Sequence, residues 1–367
     1  MKKLCLAVSI LAASTSAAWA QSSVTIYGIL DGAVRYTTNS GPTAATKAAS
    51  LSQMVGGGMS QSRLGVNVVE DLGDGLKALA SMEHRLLLDT GTSAGADFWR
   101  QAWVGLQSNN FGRITLGRQY NLLFDAATST YASFKYSPYI EVFKPEIGMA
   151  ITARQSNMVK YLVESGGLRF EAQVSAGENG GDAATIGQGK SMGGMARYAV
   201  GSFAGAYVWL QSEDKSGKKV TAQTLGASWT DGPLYVNVAW AQNKFETGFD
   251  PAVNAGLLGT VYTAIGTRTA VATGAAAKVR DLYSAGVTYQ LTPQLNVGAQ
   301  VWKGKQTGLA SGADGVIDAM AFVADYALSK RTDAYVEFDN FRAKGNLTLA
   351  NTALTRTGYM VGLRHRF

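Results

Sequence analysis

The connections between the alternating stretches of this chain fall into two length classes, and the classes take turns. Tight turns sit at EDLGDGL (70–76), SNNFGR (108–113), SGGL (165–168), GSFAG (201–205), TDGPL (230–234), LTPQL (291–295) and SKRTD (329–333). Each carries Gly, Pro, Asn or Asp where a tight reversal needs it. Between them lie long polar or Gly/Ala/Thr-rich stretches near 39–57, 89–97, 120–150, 178–190, 212–219, 245–278, 304–315 and 343–354. Seven short and eight long connections make fifteen, which predicts sixteen strands. A soluble sandwich has no reason to gather its long loops at one end. A barrel crossing an outer membrane has short turns at one rim, long loops at the other and an even strand count.

The stretches themselves have the period of a strand. In LRFEAQVSA (168–176), Leu168, Phe170, Ala172 and Val174 share one face, while Arg169, Glu171 and Gln173 share the other. LYVNVAW (234–240), LNVGAQV (295–301) and AYVEFDN (334–340) alternate likewise, as strand side chains must. In hydrocarbon every backbone polar group needs an internal partner, so the sheet has to close on itself. The closing strand is read at 356–367, where Tyr359, Val361, Leu363 and Phe367 share a parity, and it is expected to pair with 23–36. The fold class is therefore an all-β, sixteen-stranded antiparallel transmembrane barrel.

MKKLCLAVSILAASTSAAWA (1–20) has two lysines, a short apolar run and a small-x-small end, the pattern of an export signal cleaved after Ala20. Residues 21–367 then form one barrel domain, and they hold no cysteine, so no disulfide is expected. Removing two lysines leaves 31 cations against 26 anions, or +5. The basic pairs Lys218-Lys219 and Lys330-Arg331 are isolated, and export excludes a nucleic-acid partner. His84 and His365 are the two histidines, and neither lies in a nucleophile motif. No cofactor motif and no metal motif is present; GADG (312–315) is read as a turn. An enzyme built into the barrel, an outer-membrane hydrolase, is thus disfavoured.

Parity also assigns walls. Leu64, Val66 and Val68 point to lipid, which turns Arg63 inward; Asp31 and Arg35, Lys77, Glu83 and Arg85 face in on their strands. Arg100 is placed inward as the opposite of Trp99 and Trp103. With Val159, Tyr161 and Val163 outward, Arg154, Ser156, Lys160 and Glu164 are read as luminal. Arg118 follows Ile114 and Leu116 to the outer face, where a lone charge in lipid is costly and a subunit contact is the better reading. Tyr27, Trp229, Tyr289, Tyr326 and Tyr359 are read as interface girdles.

SSVTIYGILDGAVRY (22–36), QSRLGVNVVEDLGDGLKALASME (61–83), RQAWVGLQSNNFGRITLGRQY (100–120), ALSKRTDAYVEF (327–338) and YMVGLRHRF (359–367) resemble the general porins of Gram-negative outer membranes. The resemblance implies a homotrimer of barrels that pass small hydrophilic solutes and inorganic anions. It also implies an inward-folded third external loop at 120–150 that narrows the pore. It places basic constriction residues at Arg63, Arg100 and Arg154, joined on parity by Lys160 and Asp31. FKPEIGM (143–149) is similar to the acidic phrase of that loop, making Glu146 the candidate acidic wall, with Asp125 and Glu141 behind it. By the same resemblance Arg118 pairs with an acid of a neighbouring subunit such as Asp89 or Asp97. The alternating Tyr359, Val361, Leu363 and Phe367 look like the signal read by the barrel-assembly machinery. Outer-membrane lipid and lipopolysaccharide are the expected surroundings. A channel selective for one anion class, phosphate or organic acids, is the nearest alternative.

Overall fold

The computed structural model describes residues 22–41, 43, 45–46, 48–94, 98–137, 153–177, 190–214, 217–249, 277–308, 314–347 and 353–367. Residues 1–20, Asp97, Glu141 and Glu146 lie outside them. The strands are β1 Ser23–Thr37, β2 Leu51–Val55, β3 Arg63–Gly73, β4 Leu76–Arg85, β5 Trp99–Ser108, β6 Gly112–Tyr120, β7 Arg154–Ser165, β8 Leu168–Ser175 and β9 Ser191–Val200. They continue with β10 Phe203–Glu213, β11 Lys219–Asp231, β12 Leu234–Phe245, β13 Ala277–Gln290, β14 Leu295–Gly308, β15 Gly315–Ala327, β16 Thr332–Gly345 and β17 Thr355–Arg366. One helix, α1 Leu122–Thr130, follows β6.

Sixteen of these strands form one closed antiparallel barrel, each paired with its sequence neighbour and β17 returning to β1. The closing ladder runs from Ile29↔Arg366 to Thr37↔Gly358. Two further bonds, Gly28 N–H to Phe367 O and Phe367 N–H to Gly28 O, both 3.1 Å, carry it to Phe367. The short β2 is an addition within the first long connection. β1 pairs β3 over Ser23–Ile29 and β2 over Ala33–Thr37, so β2 covers the part of β1 that β3 does not reach. All seven tight turns occur where read; at Gly166-Gly167 both residues have positive φ, 56° and 85°, the geometry a two-residue hairpin requires.

Apolar side chains face outward along the ladders. Val24, Ile26 and Val34 of β1, Leu64 of β3, Val301 of β14, Phe322 of β15 and Val336 of β16 are all exposed, as a lipid-facing surface demands. Trp229 shares that outer side, and Tyr289, Tyr326 and Tyr359 stand exposed on it. Tyr27 does not belong with them. It shares the parity of Asp31 and Arg35, and its hydroxyl donates inward to Glu83 at 3.0 Å.

Two of the four register shifts among the described ladders bear on the inward-facing charges. Between β4 and β5 the register slips so that Glu83 opposes Gln101 while His84 opposes Trp99, leaving Arg100 as the extra residue. Trp103 pairs with the buried Ser81 and is therefore on the inward parity; the bulge, not opposition to Trp103, turns Arg100 inward. Between β6 and β7 the register slips after Gly117↔Met158, and Asn157 takes φ 54°. The inserted residue rotates Ser156 to the outer side, where its hydroxyl meets Arg118, correcting its luminal assignment.

The third long connection begins with α1. Asn121 Oδ1 accepts the Phe124 amide at 3.0 Å, a regular N-cap. Leu122, Leu123, Phe124, Ala126 and Ala127 are buried against Met195, Ala206, Val208, Leu210, Val220 and Ala222 of β9–β11. Past the helix the chain stays on the wall. Tyr131 Oη meets Thr224 Oγ1 at 2.8 Å, Tyr235 Oη donates to Ala132 O at 2.8 Å, and Tyr136 Oη donates to Val323 O at 3.4 Å. Ser137 Oγ donates to Met59 O at 2.8 Å and accepts from Arg364 Nη1 at 2.9 Å. Thus 121–137 follows the wall from β8 round to β17.

Candidate functional site

β3, β5 and β7 bring three arginines together beside the start of that run. Arg63 opens β3, Arg100 sits on the β5 bulge and Arg154 opens β7. Between the first two stands Glu83 of β4. Its Oε1 lies 2.9 Å from Arg100 Nε and its Oε2 3.8 Å from Arg63 Nη1, as ion pairs. Tyr27 Oη and Gln101 Nε2 donate to it, at 3.0 and 3.4 Å. Gln61 ties both cations again: its carbonyl accepts from Arg63 Nε at 3.0 Å and its Oε1 from Arg100 Nη1 at 3.4 Å.

Tyr120 links Arg154 to this group. Arg100 Nη2 donates to the Tyr120 hydroxyl. The guanidiniums of Arg100 and Arg154 lie 5.6 and 5.2 Å from its ring centre, within cation–π range. The ring stacks on Phe124 of α1 with centroids 3.6 Å apart. Two guanidiniums therefore flank the Glu83 carboxylate, and a third joins them through Tyr120. Arg63 is 5% exposed and Arg100 is fully covered, so their charges are fixed in place and less screened than surface charges.

The other expected pore residues have different surroundings. Lys160 Nζ bonds Asp125 Oδ2 at 2.5 Å and Tyr120 O at 2.9 Å, which fastens the first turn of α1 to β7. Asp31 faces inward but is taken up by the chain at 58–60: it accepts from Gly58 N, Ser60 N and Tyr335 Oη at 3.2, 2.6 and 2.6 Å. Arg118 lies on the outer side, donating to Trp99 O at 3.2 Å and Ser156 Oγ at 2.9 Å. Tyr359, Val361, Leu363 and Phe367 are all exposed on the outer surface.

Sequence reading placed Glu83 inside without giving it a role, and it missed Tyr120 altogether. Glu83 was legible from its parity with Arg85. Tyr120 was not, because the reversal into α1 carries it inward from an outward-facing parity. A second charged group lies on β1, β15, β16 and β17. Arg35 pairs with Asp339 and, at 3.6 Å, with Glu337; Arg364 pairs with Asp333 at 2.9 Å and Asp325 at 3.8 Å. Burial, with Asp325 and Glu337 nearby, pushes the Tyr136 phenol above its ordinary pKa, so it stays a neutral donor beside these acids.

A closed barrel with a fixed internal charge cluster and a loop along its inner wall is the setting for the comparison with known proteins. The family model described as Gram-negative porin matches residues 7–346. The chain belongs to the Gram-negative porins. This porin is 28% identical to outer membrane porin protein 32 of Delftia acidovorans over 391 aligned residues, covering 100% of both chains. It is 32% identical to an outer membrane porin protein of Bordetella pertussis across 66% of its own length and 60% of that protein. Among solved structures, the anion-selective porin from Comamonas acidovorans superposes with a TM-score of 0.74 at 23% identity, covering 95% of this chain and 100% of that one. A trimer form of OmpT of Vibrio cholerae superposes with a TM-score of 0.65 at 16% identity, covering 94% of this chain and 99% of that one. The porin is a protein of the Gram-negative outer membrane, and its family consists of channels, not enzymes.

Proposed function

We propose that this porin forms a water-filled pore for passive diffusion of small hydrophilic solutes and ions, with a preference for anions set by Arg63, Arg100 and Arg154. The observation that carries this is the concentration of positive charge in their cluster: Arg63 and Arg100 share the carboxylate of Glu83, and Arg154 joins them over the ring of Tyr120. Fixed excess positive charge beside a narrow aqueous path raises the local anion concentration. The anion-selective porin among its structural relatives agrees with that sign. The connection 120–150 is the proposed constriction, with Glu146 its acidic element. Lys160, paired to Asp125, and Asp31, paired to 58–60, hold that narrow region in shape. The working assembly is proposed as a homotrimer with Arg118 at its interface, assembled through Tyr359, Val361, Leu363 and Phe367 by the barrel-assembly machinery in a lipopolysaccharide-containing membrane.

The test is the reversal potential in a planar bilayer under a salt gradient. Wild type is expected to favour anions, and Arg63→Glu with Arg100→Glu to shift the preference toward cations. An unchanged reversal potential in the double variant removes the arginines from the selectivity mechanism. Solute competition on the open current separates a general pore from one selective for phosphate or organic acids, since the general pore shows graded, unsaturated block.

A further inference from the structure

The outer surface of β14–β16 changes character along one line. Going toward the long-loop rim, β14 presents Val297, Ala299 and Val301, then Lys303 and Lys305. β15 presents Phe322 and Met320, then Asp318; β16 presents Val336 and Phe338, then Asn340, Arg342 and Lys344. Tyr283, Lys303, Asp318 and Arg342 form a single row across four paired strands. Charge on the lipid face is costly at mid-bilayer and nearly free at the interface. The row therefore sits at headgroup level, with the aromatic Tyr283 beside it.

Lys303, Lys305, Arg342 and Lys344 here face two carboxylates, Asp318 in the row and Asp281 directly opposite Lys305. Lys344 Nζ bonds Asp318 Oδ2 at 2.6 Å and Lys303 Nζ lies 3.9 Å from Oδ1. Lys303 and Lys344 remain 63% and 54% exposed despite this. Among the described residues neither Lys305 nor Arg342 forms an ion pair. A recess of about 530 Å³ opens at the same place, lined by Tyr283, Val301, Lys303, Asp318, Met320 and Arg342. Its cations lie toward the rim and its apolar floor toward the membrane.

We propose that this recess is a binding site for a phosphorylated lipid of the outer leaflet. The phosphate meets Arg342 and Lys303, with Lys305 and Lys344 at its margin, and an acyl chain lies over Val301 and Met320. Charge complementarity selects this occupant: guanidinium and ammonium groups suit phosphate oxygens, and a second copy presenting the same face would set cation against cation. Asp318 holds the two lysines apart and oriented. The proposal rests on the outer-membrane orientation that puts the long loops outside.

Native mass spectrometry of the detergent-solubilised protein tests it, using diphosphoryl lipid A, the same lipid stripped of phosphate, and inorganic phosphate. Wild type is expected to retain diphosphoryl lipid A about tenfold better than the stripped lipid, the effect of one charge-assisted contact. Inorganic phosphate should not displace it at equal concentration. The combination Lys303→Gln, Lys305→Gln, Arg342→Gln and Lys344→Gln should abolish the difference while single-channel conductance is kept, so that loss of lipid does not count against the pore. Equal retention of both lipids by wild type overturns the proposal without any variant. Displacement by inorganic phosphate reduces the site to an anion contact and overturns it too. Unchanged lipid retention with weakened subunit association in the variant assigns the patch to a protein interface.

Discussion

Glu83→Gln isolates the central electrostatic claim, because glutamine keeps the size and one of the two acceptor oxygens that Tyr27 and Arg100 meet while removing one negative charge. The cluster goes from three cations and one anion to three cations. For an ion passing about 8 Å away in water, one added unit charge changes its energy by about 0.5 kcal/mol before salt screening. That raises anion occupancy and lowers cation occupancy by about 2.4-fold each, so the permeability ratio moves about five- to sixfold toward anions in dilute salt. At physiological ionic strength the separation equals about one Debye length and the shift falls to about twofold. The assay is reversal potential across a fixed potassium chloride ratio, repeated at low and high mean concentration. Loss of a buried partner also costs stability, about 3–5 kcal/mol by analogy with broken buried pairs, so the heat-modifiable gel shift is followed in parallel. A shift toward cations, or no shift in dilute salt in a protein that still folds, refutes the claim that this cluster sets the field of the pore.

Removing Phe367 deletes two backbone bonds to Gly28, each worth about 1 kcal/mol; folded yield in membranes is expected to fall several-fold, and normal levels of heat-modifiable protein contradict this. Arg118→Ala removes an outer-face cation whose described bonds are to Trp99 O and Ser156; its assembly should dissociate at lower temperature with conductance per pore retained, and an unchanged melting profile removes Arg118 from the interface. A side chain at Gly226 would collide with the Tyr131 ring, an overpacking cost of about 1–3 kcal/mol. Gly226→Val should therefore raise open-channel current noise by loosening the loop run, and a trace indistinguishable from wild type argues against that run touching the conducting path.

The barrel was legible because lipid enforces a strict rule. Each strand must show apolar residues at every second position, and Gly166-Gly167 or Thr230–Leu234 mark reversals that few other residues permit. What parity could not resolve lay at the bulges. One extra residue at Arg100 and one at Asn157 leave no mark in composition, yet each reverses which side its neighbours face; Ser156 was misplaced for this reason. Tyr27 was misread because an aromatic near a strand end fits a girdle, and only its partner Glu83 shows the inward bond. The pairing of Lys160 with Asp125 was equally hidden, since it joins β7 to a helix whose position depends on packing against β9–β11.

The ladder that closes the barrel joins residues 29–37 to residues 358–366. Every other spanning ladder joins strands that are neighbours in sequence. Loop entropy grows with the logarithm of length, so bringing these two segments together costs about 2–4 kcal/mol more than forming a neighbouring hairpin, most against the tight turns. Until that happens the structure is an open sheet with two unsatisfied rims, a state that hydrocarbon does not tolerate. Closure is thus the one step that removes both rims at once. A chain of this topology keeps two unpaired edges at any stage short of it, and the seam between β1 and β17 is where both disappear together.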